Sequence, residues 1–511
     1  MRGLSHRIRW LAKVAPIVIV VVVVALFSVI QTVDLVRQQV PGSFVESSLA
    51  ADPSTARYTL TSIACALSTV LAITITLALI VVELTASRYT PKLIDLFIEA
   101  KANLLLLTVF ISTIIYCFYV ANTITPDFGP RFGILTCLIL MTLCLASLIP
   151  YIFFVFGFLA PASIISKIQS RALGCLRQNL RRANSEGSPK LRFSQSLEQI
   201  SDIAKGSLRI NDTSVALNSV WALMDISASY LDQKPQQPQQ WFNVEPGIFL
   251  GPSEEYVSRI EQERDWVEVK ILRELQTIFS SSLGGSREVA TAVAVSARRL
   301  GESALSAGDE TVVELVVKHF NTFLREAING QQKGIIYNLL AEYRALAEQL
   351  VCSRPELAVR MSHHLCYYAR IAEEQGVQFV AETVAYDLQV LNRVAYQQDC
   401  PLTAELLAAF LGLGGALQRR GFSQALAGVY KMWLALGAFY VSAGAELLQE
   451  QVQAALHQVE PDVLAMLGEE LLSVTEPEFW EITDRGVNFD YLDPALRPPL
   501  REFLKQLPPS G

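Results

Sequence analysis

"LTSIACALSTVLAITITLALIVVELTASRYTPKL", residues 60–93, decides the architecture. Its first 23 residues, Leu60 to Val82, carry no charge, and Glu83 follows them. As a helix that run is about 35 Å long at 1.5 Å per residue, more than the ~30 Å of bilayer hydrocarbon. It reads as a membrane span, yet six of the 23 residues are Ser or Thr, more hydroxyl than a plain anchor needs.

Three more segments reach span length. Val14 to Val33 is charge-free and holds the run "VIVVVVVALFSVI". Ala102 to Thr125 contains "NLLLLTVFISTIIYCFYV", and Phe132 to Ser166 is uncharged for 35 residues. The last is too long for one crossing, so Pro150 is expected to kink it and Pro161 to end or redirect it. Arg2, Arg7, Arg9 and Lys13 precede the first run as in a signal peptide. Its apolar core is longer than the apolar region of a usual signal peptide and no convincing small-x-small site follows directly, so an uncleaved anchor is expected.

The 511 residues are 51% hydrophobic and 18% charged, with a mean hydropathy of +0.33. That average hides two unlike halves. Residues 1–192 carry 17 Lys/Arg and 8 Asp/Glu, whereas residues 193–511 carry 25 and 41. A basic membrane portion followed by an acidic soluble portion is the simplest account. The acidity of the second half argues against nucleic acid as a partner, because phosphate binding needs a basic surface. Eight scattered cysteines with no Cys-x-x-Cys fit a reducing compartment.

Orientation follows from the basic residues beside the spans. One side carries the four N-terminal ones, then Arg88, Lys92 and Lys101, then Lys167, Arg171, Arg177, Arg181, Arg182, Lys190 and Arg192. The other carries Arg37, Arg57 and Arg131, so fourteen against three places both termini in the cytoplasm. Two amphipathic segments are expected along that surface. In "YTPKLIDLFIEAKAN", Thr90 and Pro91 read as helix cap and first residue, and Leu93, Ile94, Phe97 and Ile98 share a face. After Pro161, Ile164, Ile165, Ile168, Ala172 and Leu176 recur at helical spacing. Lys167, Arg171, Arg177, Arg181 and Arg182 are candidate contacts for anionic lipid headgroups, and the same charges serve as ordinary topology markers.

In the second span Ser62, Thr69, Thr76 and Glu83 recur every seven residues. A step of seven falls about 20° short of two turns, so the four form one slowly drifting stripe. Two readings stand: the stripe faces an ion path, or its hydroxyls bond their own backbone and let helices approach. Glu83 is expected at the cytoplasmic interface, where its charge costs little.

From Phe193 onward the periodicity is helical. "SLEQISDIAKGSLRINDTSVALNSVWALMDISASYL" reads as two helices joined near Gly206 to Asp212, with Asp212 as cap of the second. "DQKPQQPQQWFNVEPGIFLGPSEE" reads as a linker. Helices are then expected near 254–282, 285–304, 309–328, 332–351, 355–375, 379–396, 402–418 and 421–444. The expected fold is all-α: a four-span membrane domain, 1–166, with spans near 14–33, 60–82, 102–125 and 133–160. A basic juxtamembrane segment (167–192), a first helical pair (193–232), the linker (233–253) and a helical cytoplasmic domain (254–511) follow, stacked as a bundle or solenoid. No fixed repeat motif of the tetratricopeptide or ankyrin type is visible.

Catalytic signatures are missing: there is no phosphate-binding loop, no dinucleotide fingerprint, no nucleophile elbow and no His-Glu-x-x-His. Five histidines are too few and too spread for a metal site, and the adjacent His363 and His364 point about 100° apart on a helix. No catalytic residue, metal or cofactor is expected.

The sequence resembles a bacterial family of predicted membrane proteins, domain of unknown function 2254. The likeness is most specific in "ITITLALIVVELTASRYTPKLIDLF", and it returns in "SLEQISDIAKGSLRINDTSVALNSVWALMD" around Ile210-Asn211-Asp212. The family usually has Ser-Pro and a small residue before that turn and Pro after it; this chain has Leu208-Arg209 and Thr213. The resemblance covers roughly residues 5 to 235. It implies a bacterial plasma-membrane protein with four spans and a helical C-terminal region, and it brings no functional residues.

Three classes of function stand. A membrane-anchored interaction or regulatory protein needs only helical docking surface, with membrane lipids and a cytoplasmic protein as partners. A channel or transporter needs a homo-oligomer with the second-span stripe facing a central path. An enzyme needs convergent titratable groups in one cytoplasmic pocket. The first is preferred.

Overall fold

A computed structural model describes residues 23–34, 36, 52–88, 93–98, 100–126, 128–181, 188–249, 251–418 and 423–507. Residues 14–22 of the first expected span, the basic N-terminal residues, Thr90, Pro91 and Arg182 lie outside them. The described residues are helical, with no strand beyond an isolated Thr125–Phe128 bridge. Two compact units divide the chain, residues 1–167 and 168–511.

In the first unit the helices are α1 (Val23–Asp34), α2 (Pro53–Arg88), α3 (Leu93–Ile98), α4 (Lys101–Thr123) and α5 (Arg131–Leu159). α6 (Pro161–Arg181) begins in this unit and continues past its boundary. Pro150 sits inside α5 without ending it; the helix stops at Ala160, before Pro161. α2 packs on α4 and α5. Leu60, Ile63, Ala64, Leu67 and Leu71 are buried in that contact, while Leu105, Ile149, Phe153 and Phe156 are exposed. Helices that stay apolar on their outer faces are built for lipid.

Asp34 is an unexpected structural element here. It is buried, and its carboxylate accepts the Phe132 and Gly133 amides at 3.0 and 3.1 Å. Those amides open α5 and have no partner within it, so an acid from α1 caps the helix.

The second unit holds α7 (Pro189–Arg209), α8 (Thr213–Gln233), α9 (Glu254–Glu263), α10 (Trp266–Ser282), α11 (Arg287–Ser306) and α12 (Glu310–Asn329). α13 (Lys333–Leu350), α14 (Pro355–Glu374), α15 (Phe379–Gln397), α16 (Thr403–Gln418), α17 (Gln424–Ala443), α18 (Glu446–Leu456), α19 (Pro461–Ser473) and α20 (Arg497–Gln506) follow. They stack as a two-layer solenoid. α7, α10, α12, α14, α16 and α18 pack in one row, and α8, α11, α13, α15 and α17 in the other. The second-row helices α11, α13, α15 and α17 start 46, 46 and 45 residues apart, as in two-helix solenoid repeats.

One turn geometry recurs between helices. Asp212, Asp309, Gln332, Val377, Cys400 and Ala445 each donate a backbone N–H to the carbonyl five residues back, at 2.8–3.0 Å. The residue before each donor is left-handed: Asn211, Gly308, Gln331, Gly376, Asp399 and Gly444. This is the Schellman closure, which satisfies the last carbonyls of one helix while starting the next. Asp212 also caps α8 by accepting from the Val215 amide at 3.2 Å, so the Ile-Asn-Asp turn ends one helix and begins another.

Two segments differ in local structure from their sequence reading. The described part of the expected linker, residues 233–249, is packed. Trp241 is fully buried, 5.1 Å from the Trp266 ring and 5.9 Å from Phe193, and Trp266 Nε1 donates to the Trp241 carbonyl at 2.8 Å. The Pro/Gln composition reads as loop, but two large apolar rings, the buried Trp241 and Phe242, make it a plug in the solenoid. The helix expected over 254–282 breaks at Arg264, whose φ of 56° no glycine signals. Gln424–Ala443 is long and apolar enough to span a membrane, but 72% of its apolar window is buried within its own unit. A helix apolar all round and covered by protein is a core helix.

Candidate functional site

Ser62, Thr69, Thr76 and Glu83 lie together along one side of α2, and all four are exposed. That side turns away from α4 and α5, so the stripe does not pack against another described span of this chain. Thr69 and Thr76 donate their hydroxyls to the Cys65 and Ala72 carbonyls at 3.0 and 2.8 Å. Such back-bonds satisfy the hydroxyl within its own helix, the arrangement a lipid-facing side chain requires. Ile73, Leu77, Ile80 and Leu84 are exposed around the stripe.

On α6, Lys167, Arg171 and Arg177 are exposed, whereas Ile164, Ile165, Ile168, Ala172 and Leu176 are buried by the chain. The apolar face of this segment is thus covered by protein, and the basic face is left outward. Lys167 Nζ sits 3.4 Å above the Phe158 ring. Arg181 is the last residue of α6.

A cleft of about 840 Å³ lies in the second unit. Three neighbouring second-row helices present one face each to it: Lys333, Gly334 and Tyr337 from α13; Phe379, Glu382 and Thr383 from α15; Ala427, Gly428 and Lys431 from α17. Steps of three and four residues within each set are what bring it to one side. α19 adds Met466 and Glu470, and a non-helical strap over residues 474–493 closes the cleft with Phe479, Ile482 and Phe489.

Ion pairs, one of them buried, hold the strap. Arg485 donates to both carboxylate oxygens of Asp387, at 2.6 and 3.1 Å, and to the Tyr337 carbonyl at 2.7 Å. Asp387 is fully buried, and Arg344 Nε lies 2.9 Å from it, poorly aligned for a hydrogen bond but close enough for an ionic contact. The Arg485 guanidinium also lies 4.5 Å above the Tyr337 ring. Lys431 ties Glu470 at 2.9 Å to Asp490 at 2.7 Å, and those partners hold its ammonium charged. Glu382 is half-buried, and burial pushes its carboxyl above the usual range, helped by nearby Asp490. The cleft hydroxyls serve the backbone: Thr383 donates to the Phe379 carbonyl, and Thr483 accepts the Gly486 amide.

His364, singled out in the sequence, lies elsewhere. Its Nδ1 is 3.2 Å from both the Asn321 amide nitrogen and the Tyr343 hydroxyl, a polar tie between successive repeats. None of the cleft residues was expected. Their available signal was the loss of helical period in "EPEFWEITDRGVNFDYLDP", residues 476–494, dense in acids and aromatics.

A family model described as a predicted membrane protein, DUF2254, matches residues 11–307, more than half of the sequence. The chain belongs to the DUF2254 family. The match reaches further than the sequence likeness around residues 5–235, extending through α11. Most of the cleft, from α13 to the strap, lies past the end of the DUF2254 match. No curated protein matches the chain. Among solved structures, a circular tandem repeat protein with novel repeat topology and enhanced subunit contact surfaces aligns with 82% of this chain and 98% of its own. That alignment has 12% identity and a TM-score of 0.36, too weak to bear on the fold.

Proposed function

We propose that this membrane protein is a membrane-anchored interaction or regulatory protein of a bacterial plasma membrane, with both termini cytoplasmic and the solenoid as its docking surface. The observation that carries the reading is the two-row stack of helix pairs, an architecture that exposes long, continuous side surfaces for partners. The fourteen-to-three distribution of basic residues supports the orientation. The back-bonded hydroxyls of α2 and the use of Asp34 as a helix cap support spans that anchor rather than conduct. The outward stripe is the feature that favours the alternative, a homo-oligomeric channel.

Two measurements test the reading. Cys352 is exposed, so in a Cys65→Ser background an impermeant maleimide should label it in inside-out vesicles and not in right-side-out ones. Liposomes holding the full chain should show no flux of K+, Na+, Cl− or H+ above empty liposomes. Flux that changes with Thr76→Val or Glu83→Gln would overturn the anchor reading in favour of the channel.

A further inference from the structure

The cleft walls carry five acidic side chains against three basic ones, and most of these charges are already spent. Lys431 is shared by Glu470 and Asp490, and Arg287 lies 3.4 Å from Asp484. Among the described residues, Glu382 has no ion-pair partner within 4 Å, although it lines the cleft on the same face of α15 as Phe379 and feels Lys431 at longer range. Its side chain lies across α17 at Gly428, where an added Cβ would fall 2.7 Å from Glu382 Cγ. Phe379, Phe479, Met432 and Ile482 supply apolar wall in the same cleft. Lys431 acts on Glu382 only from beyond ion-pair distance, its ammonium being held by Glu470 and Asp490. A half-buried carboxylate with no closer partner is costly and is relieved by a cation, which aromatic faces in the same cleft also attract. An anion would meet the opposite situation: the only base on the walls without an ion pair among the described residues is the exposed Lys333.

We propose that the cleft binds a small organic cation, an ammonium or guanidinium group on an apolar body, with Glu382 as its counter-ion and Phe379 and Phe479 against the body. The volume of about 840 Å³ lies in the range of small-molecule sites. Because the strap forms one wall, occupancy would couple a small molecule to the order of residues 474–493 and to any surface they present. The inference goes beyond the docking role and does not depend on it.

The test uses the full chain in nanodiscs, with benzyltrimethylammonium and phenethylammonium as probes, phenylacetate as the anionic counterpart and empty nanodiscs as blank. Calorimetry should show saturable binding of both cations and none of phenylacetate. Glu382→Gln should weaken the cations at least tenfold, and Gly428→Ala, which displaces the Glu382 side chain, should weaken them as well. Hydrogen exchange over residues 474–493 shows that each variant keeps its strap. Absence of saturable cation binding, equal binding by Glu382→Gln with an intact strap, or phenylacetate binding as tightly as the cations would each overturn the proposal. None of these outcomes touches the labelling and flux measurements that test the anchor reading.

Discussion

Replacing Asp387 by Asn should loosen the C-terminal strap more than replacing Arg485 by Met, although asparagine keeps the shape of the native side chain. Asp387 is fully buried between two guanidinium groups, Arg485 at 2.6 and 3.1 Å and Arg344 at 2.9 Å, and Arg344 also pairs with Glu348. With Asn at 387, Arg344 and Arg485 face each other with Glu348 alone to offset them. With Met at 485, Arg344 still holds both carboxylates, and the thioether keeps apolar contact with Tyr337 and Phe489. Removing one member of a buried ion pair costs about 3–5 kcal/mol; Asp387→Asn belongs near the top of that range and Arg485→Met at or below its foot. Hydrogen exchange of the full chain in nanodiscs resolves the strap from the helices beneath it. A loss of about 4 kcal/mol accelerates strap exchange roughly a thousandfold, at 1.4 kcal/mol per factor of ten. Arg485→Met loosening the strap as much as Asp387→Asn, or both changing exchange less than tenfold, would refute the reasoning.

Three further outcomes are expected. Asp265 is fully buried with neither carboxylate oxygen bonded, and burial, then Glu268 and Glu263, push it up to about 7. The fold therefore holds this proton more tightly than the unfolded chain; its contribution is fully present below about pH 4 and is lost as pH rises through about 7. At most about 4 kcal/mol goes this way. Asp265→Asn should be the more stable form at pH 8, and its advantage in urea unfolding should vanish toward pH 4; an advantage constant with pH would sink the idea. Asp34→Ala should destabilise the first unit by about 1–2 kcal/mol through loss of the two capped α5 amides, read as a lower Tm in detergent. Gln331→Gly should stabilise by up to about 1 kcal/mol and Gly376→Ala should destabilise by about the same, because both positions are left-handed. Chemical denaturation giving the two changes the same sign would contradict that account.

Much of the second unit was legible because helix formation is local. The helix expected at 309–328 is Glu310–Asn329, and Val312, Leu315, Val316, Phe320 and Phe323 are its buried face. Asp212 was legible as a cap because a short acid before an apolar period has few other uses. The break at Arg264 was not, since a left-handed arginine carries no sequence mark. Nor was the plug at 233–249, where prolines and glutamines outnumber the two rings that do the packing. The cleft was least legible of all: Tyr337, Glu382, Lys431 and Phe489 sit on four elements spread over more than a hundred residues.

By itself the sequence determined which segments are helical and which are apolar enough to lie in a membrane, because backbone bonding over four residues and a 3.6-residue burial period are written locally. Tertiary structure alone decided which side of the second span is left outward, that the apolar helix at 424–443 is core, and that a strap closes a cleft over the stacked repeats. Those outcomes rest on contacts between residues far apart in the chain, such as Asn338 with Thr291 and Arg485 with Tyr337, and no local period encodes them.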